Sequence, residues 1–137
     1  AALKAGVLDG TIDIIASNHQ PLEEEAKKLE FPYAEFGATG LETLYALCRT
    51  HLSDWLADEL LVEKIASNPR RILGLDLPEI KEGAMAELTI FQPDAQWVYD
   101  RNRVYSRSLN SPVLGQELRG RALAVVNNNQ SFVNAHS

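Results

Sequence analysis

The sequence predicts an α/β fold: the last strand–helix unit of an α/β barrel, followed by part of a small satellite β domain. An isoleucine-rich run over residues 11–16 ends abruptly in Ser-Asn-His-Gln-Pro, which is typical of a buried parallel strand at a barrel rim. Beyond Gly74, helical spacing gives way to short β-prone segments, too few to close a sheet alone. We therefore divide the chain into residues 1–75, with the strand, an active-site loop and helices, and residues 76–137, with the β segments.

The helical elements follow from apolar spacing and capping residues. Residues 1–8 and the acidic stretch 23–29 are predicted to be short helices. A longer helix over residues 41–52 has apolar residues three and four positions apart: Leu41, Leu44, Tyr45, Cys48 and Leu52. Ser53 is predicted to cap a second helix that buries Leu56, Leu60 and Ile65. Pro69 suits the first position of a last helical turn, and Gly74 suits its exit.

The β segments are predicted from partial alternation and β-prone composition. Residues 84–92, 96–100 and 103–108 are predicted to be short strands. Residues 121–135 are predicted to form a hairpin, because two β-prone runs flank an asparagine-rich turn.

Composition excludes several classes of function. The formal net charge of −6, with scattered Lys and Arg, argues against phosphate-mediated nucleic-acid binding. No apolar run is long enough to span a bilayer, and the first ten residues lack a secretory signal, so the predicted location is cytoplasmic. The lone Cys48 falls on an apolar helix face, which predicts a reduced core thiol.

The predicted strand would deliver Asn18 and His19 to a pocket. Asn18 is an amide, which has no accessible pKa for proton transfer near neutrality. His19 is the one imidazole beside this pocket, and the competing interpretation is a rim residue that bonds a backbone carbonyl. Glu42 is predicted to be a first-turn acid, with a structural contact as the alternative. The consecutive acids Glu23, Glu24 and Glu25 point in different directions on a helix, so they are predicted to be solvated.

Several ordered motifs resemble one family. The sequence DGTIDIIASNHQP resembles the last barrel strand of the dihydroorotases, amidohydrolases of pyrimidine biosynthesis, whose usual text is close to DGTIDAIATDHAPH. The sequence EFGATGLET is similar to their PFG-x-x-GLET loop, and SNPRRILGL is similar to NPA-x-ILGL. IKEGAMAELTIFQPD and SLNSPVLGQELRG resemble the segments that return to and close the satellite β domain. The resemblance, to the class I type found in multifunctional complexes, covers the whole chain.

The resemblance implies a TIM-barrel amidohydrolase that uses zinc to interconvert carbamoyl aspartate and dihydroorotate. Asn18 stands where the family has its catalytic aspartate, and Leu22 stands where a histidine bonds the substrate carboxylate. Gln20 replaces a small alanine, which would push a long polar side chain into the pocket mouth. Phe36 and Gly37 are retained as substrate-contacting positions, acting largely through their backbone, and His19 matches a common histidine.

We therefore expect a C-terminal portion of a dihydroorotase-like protein that is inactive as this chain and inactive in its parent. The implied zinc ligands would precede Ala1, so the chain is expected to hold no metal and no cofactor. The alternative is part of an active zinc-dependent dihydroorotase or a related cyclic-amide hydrolase. The expected partners are the rest of the parent barrel, aspartate transcarbamoylase and a second copy of the chain.

Overall fold

Five short α-helices precede a three-stranded antiparallel sheet in residues 2–134, which are the residues described in the computed structural model. The helices and strands, in chain order, are α1 (Ala2–Asp9), α2 (Glu24–Lys27), α3 (Leu44–Leu52), α4 (Asp58–Val62), α5 (Asn68–Ile72), β1 (Leu88–Val98), β2 (Glu117–Asn127) and β3 (Gln130–Val133). A π-helical turn (Glu63–Ser67) joins α4 to α5, and a 3₁₀ turn (Arg101–Arg103) follows β1. The helix predicted over residues 1–8 is confirmed as α1, although Ala1 lies outside the described residues.

The helices enclose one apolar cluster, which we call the helical cluster. Its buried members are Val7, Cys48, Leu56 and Leu61. The predicted stripe residues Leu60 and Ile65 pack against these side chains, together with the α3 residues Leu44, Tyr45 and Leu52. The predicted cap is wrong, because Ser53 terminates α3 and the next helix begins only at Asp58. The apolar spacing therefore identified the core correctly but not the helix boundary.

The strand predicted over residues 11–16 is wrong. This segment forms no β-ladder, because its backbone hydrogen bonds go to helical residues. Ile15 N–H donates to the Lys64 carbonyl at 3.1 Å. The buried Lys64 ammonium donates to the Ile12 carbonyl at 2.7 Å. Since a strand is defined by a neighbouring strand, an apolar run beside helices stays unpaired however β-prone its residues are.

The sheet has strand order β1-β2-β3, and both of its neighbouring pairs are antiparallel. The predicted strands 84–92 and 96–100 are one strand, interrupted by a register shift between Gln92 and Gln96. Pro93 lies in this irregular stretch, where its missing N–H costs no ladder bond. The predicted hairpin is confirmed as β2 and β3, joined by Asn128 and Asn129 at φ of 49° and 59°, although Ala135 lies outside the described residues. Two successive positive φ values are the requirement of a type I′ hairpin turn, and asparagine tolerates them.

A second apolar cluster, the sheet cluster, lies between α3 and the sheet. Its buried members are Ala46, Tyr99 and Leu118. On α3, Arg49 is buried and forms an ion pair with Asp58 at 2.5 Å, while Thr50 Oγ1 accepts from the Arg119 N–H at 2.9 Å. Helix α3 therefore contributes to both clusters and joins the helices to the sheet. The division of the chain into two domains at residue 75 stays a prediction.

Candidate functional site

The loop after residue 16 lies beside the glycine-punctuated loop that precedes α3. His19 and Ala38 form an isolated parallel bridge, and the Gln20 N–H donates to the Ala38 carbonyl at 2.9 Å. A Cβ added to Gly40 would approach the Ser17 carbonyl oxygen at 3.0 Å, so the two loops also touch at Ser17. The motif positions predicted to form the pocket mouth are therefore held side by side.

His19 anchors this contact between the loops. Its Nδ1 accepts hydrogen bonds from the N–H groups of Gly40, at 3.1 Å, and Leu41, at 3.2 Å. Two backbone donors of the loop before α3 therefore converge on one ring nitrogen. The interpretation that His19 donates to a backbone carbonyl is wrong, because its ring accepts from backbone N–H groups instead. Its predicted role in substrate binding stays a prediction.

Asn18 is exposed in the loop after residue 16 and has a φ of 45°. This left-handed conformation is rare for most residues but is tolerated by asparagine and aspartate. The local backbone therefore suits either the amide present here or the carboxylate that the resembled family has at this position. Chemically the amide differs, because it neither ionises nor trades protons near neutral pH.

Phe36 and Gly37 differ in which part of the residue is available: Phe36 exposes its side chain, whereas Gly37 makes a hydrogen bond through its backbone carbonyl. The Phe36 side chain is 88% exposed. The Gly37 carbonyl accepts from Asn110 Nδ2 at 3.0 Å. The Asn110 carbonyl in turn accepts from the Thr39 N–H at 2.8 Å, so Asn110 clasps the loop from both directions. Sequence analysis missed this role of Asn110, although the residue falls inside the quoted motif SLNSPVLG.

Leu22 lies in the same loop as Asn18, four residues further along the chain. It lines a cleft of about 400 Å³ together with Lys27, Arg101, Arg107 and Asn110. Asn18, Phe36 and Gly37 do not line this cleft. The Leu22 carbonyl accepts from Ser108 Oγ at 2.6 Å, which fixes the backbone but leaves the side chain only partly buried.

Glu42 has a structural role. Its carboxylate accepts from the Tyr105 N–H at 3.0 Å and from the Ser106 N–H at 2.6 Å. These bonds explain why the strand predicted over residues 103–108 is wrong: a side chain satisfies the donors that a ladder would use. Burial and the nearby Glu42 carboxylate raise the pKa of Tyr99 to about 12, so its hydroxyl stays protonated.

The other titratable groups that the sequence singled out are buried or solvated. Burial raises the pKa of the Cys48 thiol, which disfavours the nucleophilic thiolate, and the predicted core position of Cys48 is confirmed. Glu23, Glu24 and Glu25 are exposed, as predicted. Between residues 2 and 134, no three His, Cys, Asp or Glu side chains are placed to hold a metal ion. In that same range, no helix is long and apolar enough to cross a membrane.

Comparison with curated proteins places these motifs in a family. No family model matches the chain. The chain is 44% identical over 123 residues to the dihydroorotase of Geotalea daltonii, an alignment that covers 89% of this chain and 29% of that protein. It is 40% identical over 131 residues to the dihydroorotase of Chlorobaculum tepidum, covering 94% of this chain and 30% of that protein. This chain belongs to the dihydroorotase family. It spans less than a third of the length of these relatives.

Solved structures show the same fold. A D-hydantoinase (dihydropyrimidinase) from Thermus sp. superposes with a TM-score of 0.84 at 20% identity, over 99% of this chain and 31% of that chain. The inactive dihydroorotase-like domain of a Chaetomium thermophilum CAD-like multifunctional protein superposes with a TM-score of 0.65 at 20% identity, over 95% of this chain and 34% of that domain. The predicted fold class is confirmed: this segment matches a C-terminal portion of TIM-barrel amidohydrolases and carries a small antiparallel sheet.

Proposed function

We propose that this segment belongs to a dihydroorotase-like protein that does not catalyse the interconversion of carbamoyl aspartate and dihydroorotate. The observation that carries the proposal is Asn18, an exposed amide where the resembled family has the carboxylate that exchanges a proton with metal-bound hydroxide. The partly buried Leu22 removes a second function, because a leucine side chain cannot bond a substrate carboxylate.

The described residues around Asn18 do not fit a zinc site. His19 uses Nδ1 to accept two backbone N–H groups, and its neighbour Asn18 is a neutral amide. Zinc sites in proteins use three or four ligands drawn from Cys, His, Asp and Glu. Any zinc in the parent would therefore depend on residues outside this segment. The inactive dihydroorotase-like domain of the Chaetomium protein is a precedent for this fold without activity.

The alternative function is an active zinc-dependent dihydroorotase or related cyclic-amide hydrolase. Its support is the 44% identity to a curated dihydroorotase. An assay of dihydroorotate ring opening by the full-length parent, with added zinc, separates the two. We expect no turnover above the uncatalysed rate, with the Geotalea daltonii relative as a positive control. Turnover at the rate of that control would contradict the proposal and favour the alternative.

We propose that the rest of the parent barrel covers the apolar surface of this segment. Phe31, Phe36 and Ile80 are 88%, 88% and 90% exposed, which is costly for large apolar side chains. Within the described residues, β1 and β3 are both unpaired on one side. Such edges recruit other chains when nothing covers them.

The isolated chain should therefore form dimers or larger assemblies. Light scattering across a range of protein concentrations measures this, and the full-length parent, in which the same surface is covered, is the control. A monomer at high concentration with cooperative unfolding would contradict the expectation.

We further propose a scaffolding role in the cytoplasm beside aspartate transcarbamoylase, the enzyme that makes carbamoyl aspartate. The proposal follows from the family resemblance together with the loss of chemistry at Asn18. The lone buried Cys48 is compatible with a reducing compartment. Calorimetric titration of the full-length parent with aspartate transcarbamoylase tests the partnership, and an absence of binding heat would contradict it.

A further inference from the structure

Gln20 lies against the backbone of Gly37. Gly37 has φ of 126°, a conformation that side-chain-bearing residues rarely adopt. A Cβ added there would fall 2.3 Å from Gln20 Oε1 and 2.7 Å from Gln20 Cβ. Distances this short mean that the Gln20 side chain fills the space directly beside the Gly37 α-carbon.

The two residues cannot easily separate. The Gln20 N–H is bonded to the Ala38 carbonyl at 2.9 Å, which fixes the start of its side chain. Gly37 is held from the other side, because its carbonyl accepts from Asn110 Nδ2 at 3.0 Å. A ligand that approaches the Gly37 backbone must therefore move the Gln20 side chain rather than the loop.

We propose that Gln20 is a specificity-determining residue that sterically occludes the Gly37 backbone from small ligands. The inference rests on the proposed function, since it assumes that this backbone borders a pocket of the dihydroorotase type. The excluded ligands are cyclic amides and carbamoyl amino acids of the size of dihydroorotate. Occlusion by Gln20 is independent of the chemical losses at Asn18 and Leu22, because it acts on binding rather than on proton transfer.

The test measures ligand binding to the full-length parent by isothermal titration calorimetry, with dihydroorotate and carbamoyl aspartate as separate probes. Gln20→Ala should lower the Kd of at least one probe by about tenfold, since the ligand no longer has to displace and reorder a long side chain. Gln20→Ser should behave like Gln20→Ala, which guards against a folding defect in either variant.

Two controls separate steric occlusion from other effects. Gln20→Met keeps the length of the side chain but removes its amide, so its Kd should match that of the parent. Gln96→Ala removes an exposed glutamine from β1, outside the site, and should also leave the Kd unchanged. Equal affinities for Gln20→Ala, Gln20→Ser and the parent would overturn the inference. A gain in Gln20→Met equal to that in Gln20→Ala would overturn it as well.

Failure of this inference is distinguishable from failure of the proposed function. Ring opening by the unsubstituted parent would refute the proposed function, whereas the occlusion inference depends only on the ratio of Kd values between variants. If the parent turns over dihydroorotate, the same variants are compared by KM, which should fall in Gln20→Ala and Gln20→Ser. An absence of binding by the parent and every variant would overturn the occlusion inference and leave the proposed function standing.

Discussion

Replacing Asn18 by aspartate and Leu22 by histidine together in the full-length parent should raise its dihydroorotate ring-opening rate by at least about a hundredfold. A positioned general acid or base contributes a factor of roughly a hundred to ten thousand. A hydrogen bond to a charged group adds about 1.5 to 3 kcal/mol. The left-handed backbone at Asn18 is also tolerated by aspartate, so Asn18→Asp should not disturb the loop.

Neither substitution should suffice alone. Asn18→Asp supplies the carboxylate without the donor to the substrate carboxylate, and Leu22→His supplies that donor without a proton carrier. The recovery also requires zinc ligands elsewhere in the parent, so ring opening should be measured with added zinc for the parent, each single variant and the double variant. Asn129→Asp is the matched control, because Asn129 is also exposed and also has positive φ, at 59°, but lies in the hairpin turn. A parent that is already fully active would show that Asn18 does not prevent catalysis.

Local patterns predicted much of the fold because the responsible interactions are close in sequence. The spacing of Leu44, Cys48 and Leu52 indicated a helix face, and those residues pack in the helical cluster. The asparagine-rich turn indicated a hairpin, since a tight turn needs two residues that tolerate positive φ. Each of these features depends on residues that are only a few positions apart in the sequence.

The errors arose where distant partners decide the structure. The isoleucine-rich run 11–16 has strand composition, but the buried Lys64, 52 residues after Ile12, bonds its backbone instead. Glu42 satisfies the N–H groups of Tyr105 and Ser106, which lie 63 and 64 residues further along the chain. No local pattern of one sequence reports such pairs.

The candidate site was also predicted only where neighbouring residues decide the structure. Motif resemblance identified Asn18, His19, Phe36 and Gly37, and the loops that carry them do lie side by side. The clasp by Asn110 was not predicted, because it joins positions 73 residues apart. The accepting role of His19 also could not be predicted, since it depends on how the Gly40 and Leu41 N–H groups are turned toward the ring.

Replacing Leu118 by alanine should lower the free energy of unfolding by about 2 to 5 kcal/mol. Leu118 is only 1% exposed and packs with Ala46 of α3 and with Tyr99 just after β1. Truncation removes buried apolar area and leaves a cavity that the surrounding residues can fill only in part. Because these contacts join α3 to the sheet, losing them should weaken the packing between the helices and the sheet rather than a single helix or strand.

Val98→Ala is the matched control for Leu118→Ala. Val98 is 43% exposed and pairs with Glu117, the residue beside Leu118, so it lies at the same level of the sheet on the opposite face. Its truncation should cost well under half as much, since little apolar area is buried there. Urea unfolding followed by tryptophan fluorescence measures both variants, at one fixed protein concentration because self-association makes apparent stability concentration-dependent. Equal losses in the two variants would show that the sheet cluster does not hold α3 to the sheet.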